Sequence, residues 1–303
     1  MKSNTAHHNR IKMLPSSIVF NVIGYLILLA AVIFSLVPFI AMVSGSFTSE
    51  RSILVDGYSL WPREFSVEAY RLILRNPVTL VRAYGVSIWI TVAGSAVGLF
   101  ITAMTAYVIS RKQFKYRYAL TFFFYFTTLF NGGLLSIYIL FVRYLNLKNS
   151  YLSLILPLLI NVFNLLVMRT FISSIPESIC ESAKIDGAGH FTIFMRLILP
   201  LSTSSLATIG LYLMLAYWND WYHAMLYISD HHKYPLQYML YNVITASEGM
   251  QRIAKTASVR TSMLPTNTLK LAMAVAVTGP ILLVYPFIQK YFIKGVTVGA
   301  VKG

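Results

Sequence analysis

The chain has 303 residues, 57% of them hydrophobic and only 12% charged, with a mean hydropathy of +0.66. Soluble domains carry about 25% charge, so this composition excludes an ordinary soluble protein and points to an integral membrane one. The net charge of +15 comes from basic residues spread between apolar segments, with no stripe or motif for nucleic acid, and the single cysteine, Cys180, excludes a disulfide framework or a cysteine-ligated zinc site.

A helix that crosses a membrane needs roughly 20 predominantly apolar residues, and six stretches qualify. Lys2, Arg10 and Lys12 precede the first, residues 18–43. That run exceeds the roughly 7 to 15 apolar residues of a signal peptide, so it reads as a retained span, with Pro38 expected to kink it near its outer end. Residues 46–80 form a mixed polar external connection in which Trp61 and Tyr70 suit a membrane interface, and a short interfacial helix is expected from Ser66. The second span, 83–109, holds Gly85, Ala93, Gly94, Ala96, Gly98, Ala103 and Ala106. Small residues let helices pack closely in lipid, which places this helix near the centre of the bundle.

Arg111, Lys112, Lys115 and Arg117 crowd the short loop that follows. Cations in a short loop are retained in the cytoplasm, so this loop, the N-terminal segment 1–17, the loop 176–200 and the tail 292–303 are expected there. The remaining spans read as 118–142, 152–168, 206–228 and 271–287, all within one membrane domain, 18–291. Cys180 reads as a small structural residue.

The most polar passage between two apolar segments is 176–200, PESICESAKIDGAGHFTIFMRLILP, which holds Glu177, Glu181 and Asp186 among the 10 acidic residues of the chain. Gly187 and Gly189 break the helix that precedes them, giving helix, glycine turn, helix. Small Ser182, Ala183 and Ala188 permit close approach to a partner, Gly187 permits a sharp reversal, and Asp186 is expected to cap the following short helix. On residue types alone, an amphipathic helix lying on the membrane surface explains the passage equally well.

Glu181, Ser182, Ala183, Asp186, Gly187 and Ala188, followed by Ile198, Leu199 and Pro200, resemble the EAA loop of bacterial ABC importer permeases. The sugar-uptake branch reads E-A-A-x-x-D-G-A and ends in L-P. Ser182 stands in place of an alanine, and Ile198 and Leu199 are adjacent where the pattern has a gap. The stretch GGLLSIYILFVRYLNLKNSYLSLILP resembles the same branch, with Ser136 where that pattern has a proline that would kink the helix. The ending GVTVGAVKG is similar to it too. This resemblance implies an all-α integral membrane protein with six transmembrane helices, the type I ABC importer (MetI-like) permease fold, in the bacterial cytoplasmic membrane. It implies that 176–200 is a cytoplasmic coupling helix docking into a separate ATPase, which would carry the ATP and Mg. The implied partners are a second homologous permease, two ATPase subunits, an extracytoplasmic solute-binding protein and a carbohydrate.

The chain has no Gly-Lys dipeptide of a phosphate-binding loop and no H-E-x-x-H or G-x-S-x-G, so neither catalysis nor a cofactor of its own is expected. Polar groups at membrane depth mark pathways, and the fifth span holds Asn219, Asp220 and His223 among Tyr217, Trp218, Trp221 and Tyr222. Asp220 and His223 share a helix face and can pair, and a W-N-D sequence recurs in the resembled sugar permeases. Aromatic faces and amides suit a saccharide; an aromatic belt at the outer interface explains the same residues. Asn131, Asn161 and Asn164 are further pathway candidates, equally explained by hydrogen bonds between helices. Basic residues outnumber Glu50, Asp56, Glu64, Glu68, Asp230 and Glu248 in the external connections, which suits an acidic oligosaccharide, lipid headgroups or an acidic binding protein. The expected function is an ABC sugar permease. The rivals are an ABC permease for another solute such as peptides, and an ion-coupled transporter, for which Asp220 alone would have to serve as coupling carboxylate.

Overall fold

The computed structural model describes residues 15–257 and 266–300. The segment 1–14, with Lys2, Arg10 and Lys12, and the last residues of the tail, 301–303, lie outside the described residues. Among the described residues the regular elements are helical, and one isolated antiparallel bridge joins Thr48 to Phe65.

Helix α1 (Pro15–Ser46) passes through Pro38 without breaking and packs along the last helix, yet none of its apolar window is buried within the chain. Two short helices, α2 (Glu50–Asp56) and α3 (Glu68–Ile73), occupy the connection 46–80, the second close to the interfacial helix expected from Ser66. Helix α4 (Pro77–Ser110) is the centre: half of its apolar window is buried, and it packs on both the 162–173 and 203–218 helices. Its small residues explain this. Lipid tails are as apolar as leucine, so helices associate by close contact. A Cβ at Gly94 would lie 2.5 Å from the Tyr217 ring, and one at Gly98 would lie 3.0 Å from the Leu159 carbonyl. Ala103 and Ala106 are fully buried, whereas Gly85 and Ala96 face outward.

The next three expected spans are broken pairs. Helices α5 (Arg117–Leu129) and α6 (Gly133–Tyr144) meet at 112°. The break falls on Asn131, Gly132 and Gly133, where Gly133 takes φ +81 and the Asn131 Oδ1 accepts from its N–H at 2.9 Å. The turn therefore lies three residues before Ser136, whose lack of proline does not straighten the segment. Helices α7 (Leu152–Leu158) and α8 (Val162–Ser173) meet at 52°, next to Pro157, which has no N–H to give. The fourth span thus reaches Ser173 rather than residue 168.

Helix α9 (Glu177–Ile185) leads into α10 (His190–Leu201) and α11 (Thr203–Trp218), the last two bent by 85° after Pro200. The continuous fifth span read as 206–228 is not what forms. α11 stops at Trp218, and α12 (Tyr222–Tyr227) is a separate short helix, because Asn219 and Asp220 spend their side chains on local backbone and neighbours. α13 (Leu236–Ala257) was not expected; Glu248, Arg252 and Lys255 keep it below spanning apolarity. α14 (Thr266–Ala300) contains the sixth span and begins five residues before it. Among the described residues, three helices can cross a membrane by length and apolarity, and three bent pairs can if each counts as one.

Candidate functional site

The polar passage 176–200 is a closed unit seated on the bundle. Asp186 ends α9, the Gly187 N–H donates to the Lys184 carbonyl at 3.0 Å, and the Ala188 N–H donates to the Ala183 carbonyl at 2.9 Å. These two bonds, with Gly187 at φ +83, make a Schellman closure, in which a left-handed residue follows the helix end and apolar residues on either side meet. Ala183 and Ala188 are those residues: both pack on the core formed by Cys180, Ile193, Phe194 and Ile198 with Tyr107, Met168 and Ile172. Their small size therefore serves packing within the chain, and of the three small residues only Ser182 lies exposed. Cys180 is buried, as a small structural residue would be. The expected capping by Asp186 does not occur, because the next helix starts at His190 with Gly189 before it and no side chain bonded to its amides. Asp186 belongs instead to the end of α9.

Outward, the unit presents Glu181, Ser182, Ile185, Asp186 and Gly187, and Pro200 stands exposed at its far end. Ile185 is 86% exposed and Phe191 63%. Side chains anchor the unit to the loop after α4. Lys112 Nζ lies 3.2 Å from Glu177 Oε2, Lys184 Nζ donates to Gln113 Oε1 at 2.6 Å, and the Tyr107 hydroxyl meets His190 Nδ1 at 3.5 Å. A rigid, anchored surface with apolar side chains facing solvent is suited to receiving another protein.

At the opposite end of α4 the polar side chains bond within the protein, Tyr217 and Trp218 buried and Asn219 exposed. The Tyr217 hydroxyl donates to the Ile155 carbonyl at 2.8 Å, the Trp218 indole N–H donates to the Val277 carbonyl at 3.2 Å, and Asn219 Nδ2 donates to the Leu215 carbonyl at 2.9 Å. Asp220 and His223 do pair, at 3.0 Å, with the His223 N–H also donating to Asp220 Oδ1 at 3.3 Å. They do so across a turn, not along one helix. Trp221 stacks on Tyr241 of α13 with centroids 4.3 Å apart. Just beyond, burial and the neighbouring Tyr238 raise the Tyr234 phenol above its ordinary pKa.

Asn161 and Asn164 come together at the α7 to α8 break. Asn161 Oδ1 accepts from the Asn164 N–H at 3.1 Å, starting α8. Both line a cavity of about 330 Å³ with Pro157, Phe163, Tyr212 and Leu213. Asn164 is 6% exposed, and the donors and acceptor of its side-chain amide have no partner among the described residues. Irregular backbone at membrane depth is tolerated where it is packed in protein or lines a wet cavity, and here the break lines a cavity with two asparagines. Asn131 stands apart, at the α5 to α6 break, and does not line this cavity. Among the described residues, no three His, Cys, Asp or Glu side chains converge to hold a metal ion.

Three sets of residues escaped the sequence. Ile185 and Phe191 carried a signal, being apolar positions out of phase with the buried side of their helices. Tyr212 carried none, since only the bend sets it against the two asparagines. Asn149 sat in the quoted N-S pair but showed no role. In the structure it takes φ +59, accepts from the Ser229 N–H at 2.7 Å and the Asp230 N–H at 3.0 Å, and receives Lys233 Nζ on its carbonyl at 2.7 Å. It clasps the loop before α7 to the loop after α12.

Residues 98–298 match the profile of a family described as binding-protein-dependent transport system inner membrane component. The chain is 40% identical over 285 residues, 94% of this chain and 98% of the relative, to the polygalacturonan/rhamnogalacturonan transport system permease protein YtcP of Bacillus subtilis. It is 39% identical over 285 residues, 94% of this chain and 95% of the relative, to the protein LplC of the same organism. Among solved structures it resembles a chain of a bacterial ABC transporter involved in the import of the acidic polysaccharide alginate, with TM-score 0.78 and 27% identity, covering 93% of this chain and 99% of that one.

Proposed function

The chain belongs to the family of binding-protein-dependent transport system inner membrane components, and from that premise we propose that it is one permease half of an ATP-driven ABC importer for an acidic oligosaccharide. The observation that carries the coupling role is the anchored 176–200 unit, with Glu181, Ser182, Ile185, Asp186 and Gly187 on its free side. Ile185 and Phe191 are the apolar contacts by which it seats in a separate ATPase subunit. The two local bonds around Gly187 and the Lys184 to Gln113 bond make the unit stiff, so force applied to it is delivered to α4 and α8 rather than absorbed in a loop.

In this reading the chain spans the bacterial cytoplasmic membrane six times, by α1, α4, the α5–α6 and α7–α8 pairs, α11 and α14, with 176–200 and both termini in the cytoplasm. The basic loop Arg111 to Arg117 beside that unit supports the orientation. A second, homologous permease covers the remaining faces, α1 above all. Two ATPase subunits hydrolyse ATP with Mg, and an extracytoplasmic binding protein delivers the sugar. The chain itself transports and does not catalyse. The saccharide passes the α7 to α8 break, where the Asn164 amide hydrogen-bonds hydroxyl or carboxylate oxygens and the Tyr212 ring lies beside a sugar face. Tyr217, Trp218, Asn219 and Asp220 frame the passage without lining it, their side chains being engaged within the protein. The acidic substrate class draws on what one relative's and the neighbour's names specify, polygalacturonan, rhamnogalacturonan and alginate.

The test is uptake into vesicles holding the complete complex, with uronate and neutral oligosaccharides of equal length. Preferential, ATP-dependent uptake of the uronate is expected; uptake of the neutral sugar alone would overturn the acidic substrate, and uptake without ATP would overturn the importer.

A further inference from the structure

A cavity of about 280 Å³ lies where α4 ends, bounded by Tyr107, Val108, Arg111, Gln113, Phe114 and His190. Among the described residues, no carboxylate lines it. The Arg111 guanidinium lies 4.4 Å from the centre of the Tyr107 ring, and its Nε is buried with no hydrogen-bond partner among the described residues. A buried guanidinium N–H left unpaired is costly. Gln113 gives its Oε1 to Lys184, which leaves its amide NH₂ as a donor. The nearby carboxylate of Glu177 is taken by Lys112. The cavity therefore combines an apolar lining with an unmatched cation and a spare donor, the arrangement that suits an anionic head on an apolar body.

The surrounding loop sets the depth. Lys112, Lys115, Tyr116 and Tyr118 are exposed beside the cavity, and Arg117 lies 4.4 Å over the Tyr118 ring. Tyrosines with cations at the end of a membrane helix mark the headgroup level, and basic pockets between helices on the cytoplasmic side bind anionic headgroups. We propose that this cavity holds the phosphate of an anionic membrane lipid, with Arg111 as its ligand, and that the bound lipid braces the coupling unit. The bracing follows from the walls. His190 opens α10 on one side of the glycine turn, and Gln113 holds Lys184 of α9 on the other, so a lipid between them fixes both ends of that turn. Lipid binding stands on the cavity and the loop beside it; its effect on coupling rests on the permease function proposed above.

The purified complex is placed in membranes of phosphatidylglycerol or phosphatidylcholine, and retained lipid is counted by native mass spectrometry beside stimulated ATPase activity. The native chain and Lys115→Gln are expected to retain phosphatidylglycerol, while Arg111→Gln retains about five-fold less and Arg111→Lys, which keeps the charge and guards against misfolding, recovers part of it. Stimulated ATPase activity should fall in phosphatidylcholine for the native chain and be indifferent to lipid in Arg111→Gln. Equal retention by the native chain and Arg111→Gln overturns the site. Equal loss in Lys115→Gln also overturns it, leaving general surface charge. Inorganic phosphate that displaces the lipid and sustains full activity in phosphatidylcholine assigns the cavity to free phosphate and overturns the lipid. If the ATPase subunit never binds 176–200 while Arg111-dependent lipid persists, the permease function fails and the lipid site remains.

Discussion

The two ends of α4 carry polar sequences of similar appearance and opposite use. At the Asn219 to His223 break, hydroxyl, indole, amide and carboxylate groups are consumed by internal bonds to Ile155, Val277, Leu215 and His223. In the 176–200 unit, backbone bonds close the turn and leave Glu181, Ser182, Ile185 and Asp186 facing outward. Polar residues satisfied by their own chain hold helices together; those left facing out are available to something else. Substitutions at the first end should therefore cost stability, and those at the second should cost coupling.

The largest stability loss is expected for Gly94→Val, because its side chain would overlap the Tyr217 ring and break the bond to Ile155. Overpacking of this kind costs about 1–3 kcal/mol, visible as a lower melting temperature of the purified complex and a poor yield. Asn149→Ala should follow, removing the clasp between two loops for about 1–2 kcal/mol, with easier proteolysis near Ser229 as the readout. Asp220→Asn keeps the amide acceptor but loses the charge that faces His223; about 1 kcal/mol is expected, with sugar uptake preserved. A melting temperature unchanged in all three would erase the contrast between the two ends. Asn164→Leu sharpens it from a third position. An unpaired amide in a cavity supports little structure, so its loss should leave the melting temperature within a degree or so, a change of about 0.5 kcal/mol or less, and should weaken uptake about ten-fold through KM.

The 176–200 unit was legible because its geometry is local. A glycine after a helix, with small apolar residues four before it and one after, writes a Schellman closure into eight consecutive positions, from Glu181 to Ala188. The placing of α4 at the centre was legible for a related reason, since small residues at Gly94, Gly98, Ala103 and Ala106 have no other use in lipid. The breaks in the other spans were not. Apolar composition runs on through Asn131 to Gly133 and through Pro157 to Asn161, and hydropathy counts length without registering direction. What Asn164 faces depends on the 52° bend beside it, where the Leu159 carbonyl comes close to Gly98 of α4. Helix α13 escaped because its charged residues disguise it as a connection.

The most direct test of the account is binding-protein-stimulated ATPase activity of the reconstituted complex carrying Ile185→Glu. This side chain is 86% exposed, so folding should change by no more than about 0.5 kcal/mol and the membrane partner should still assemble. The account predicts that the ATPase subunit dissociates and stimulation disappears while the melting temperature holds. Full stimulation with the ATPase subunit still bound would contradict it, leaving 176–200 a surface unit without a docking role.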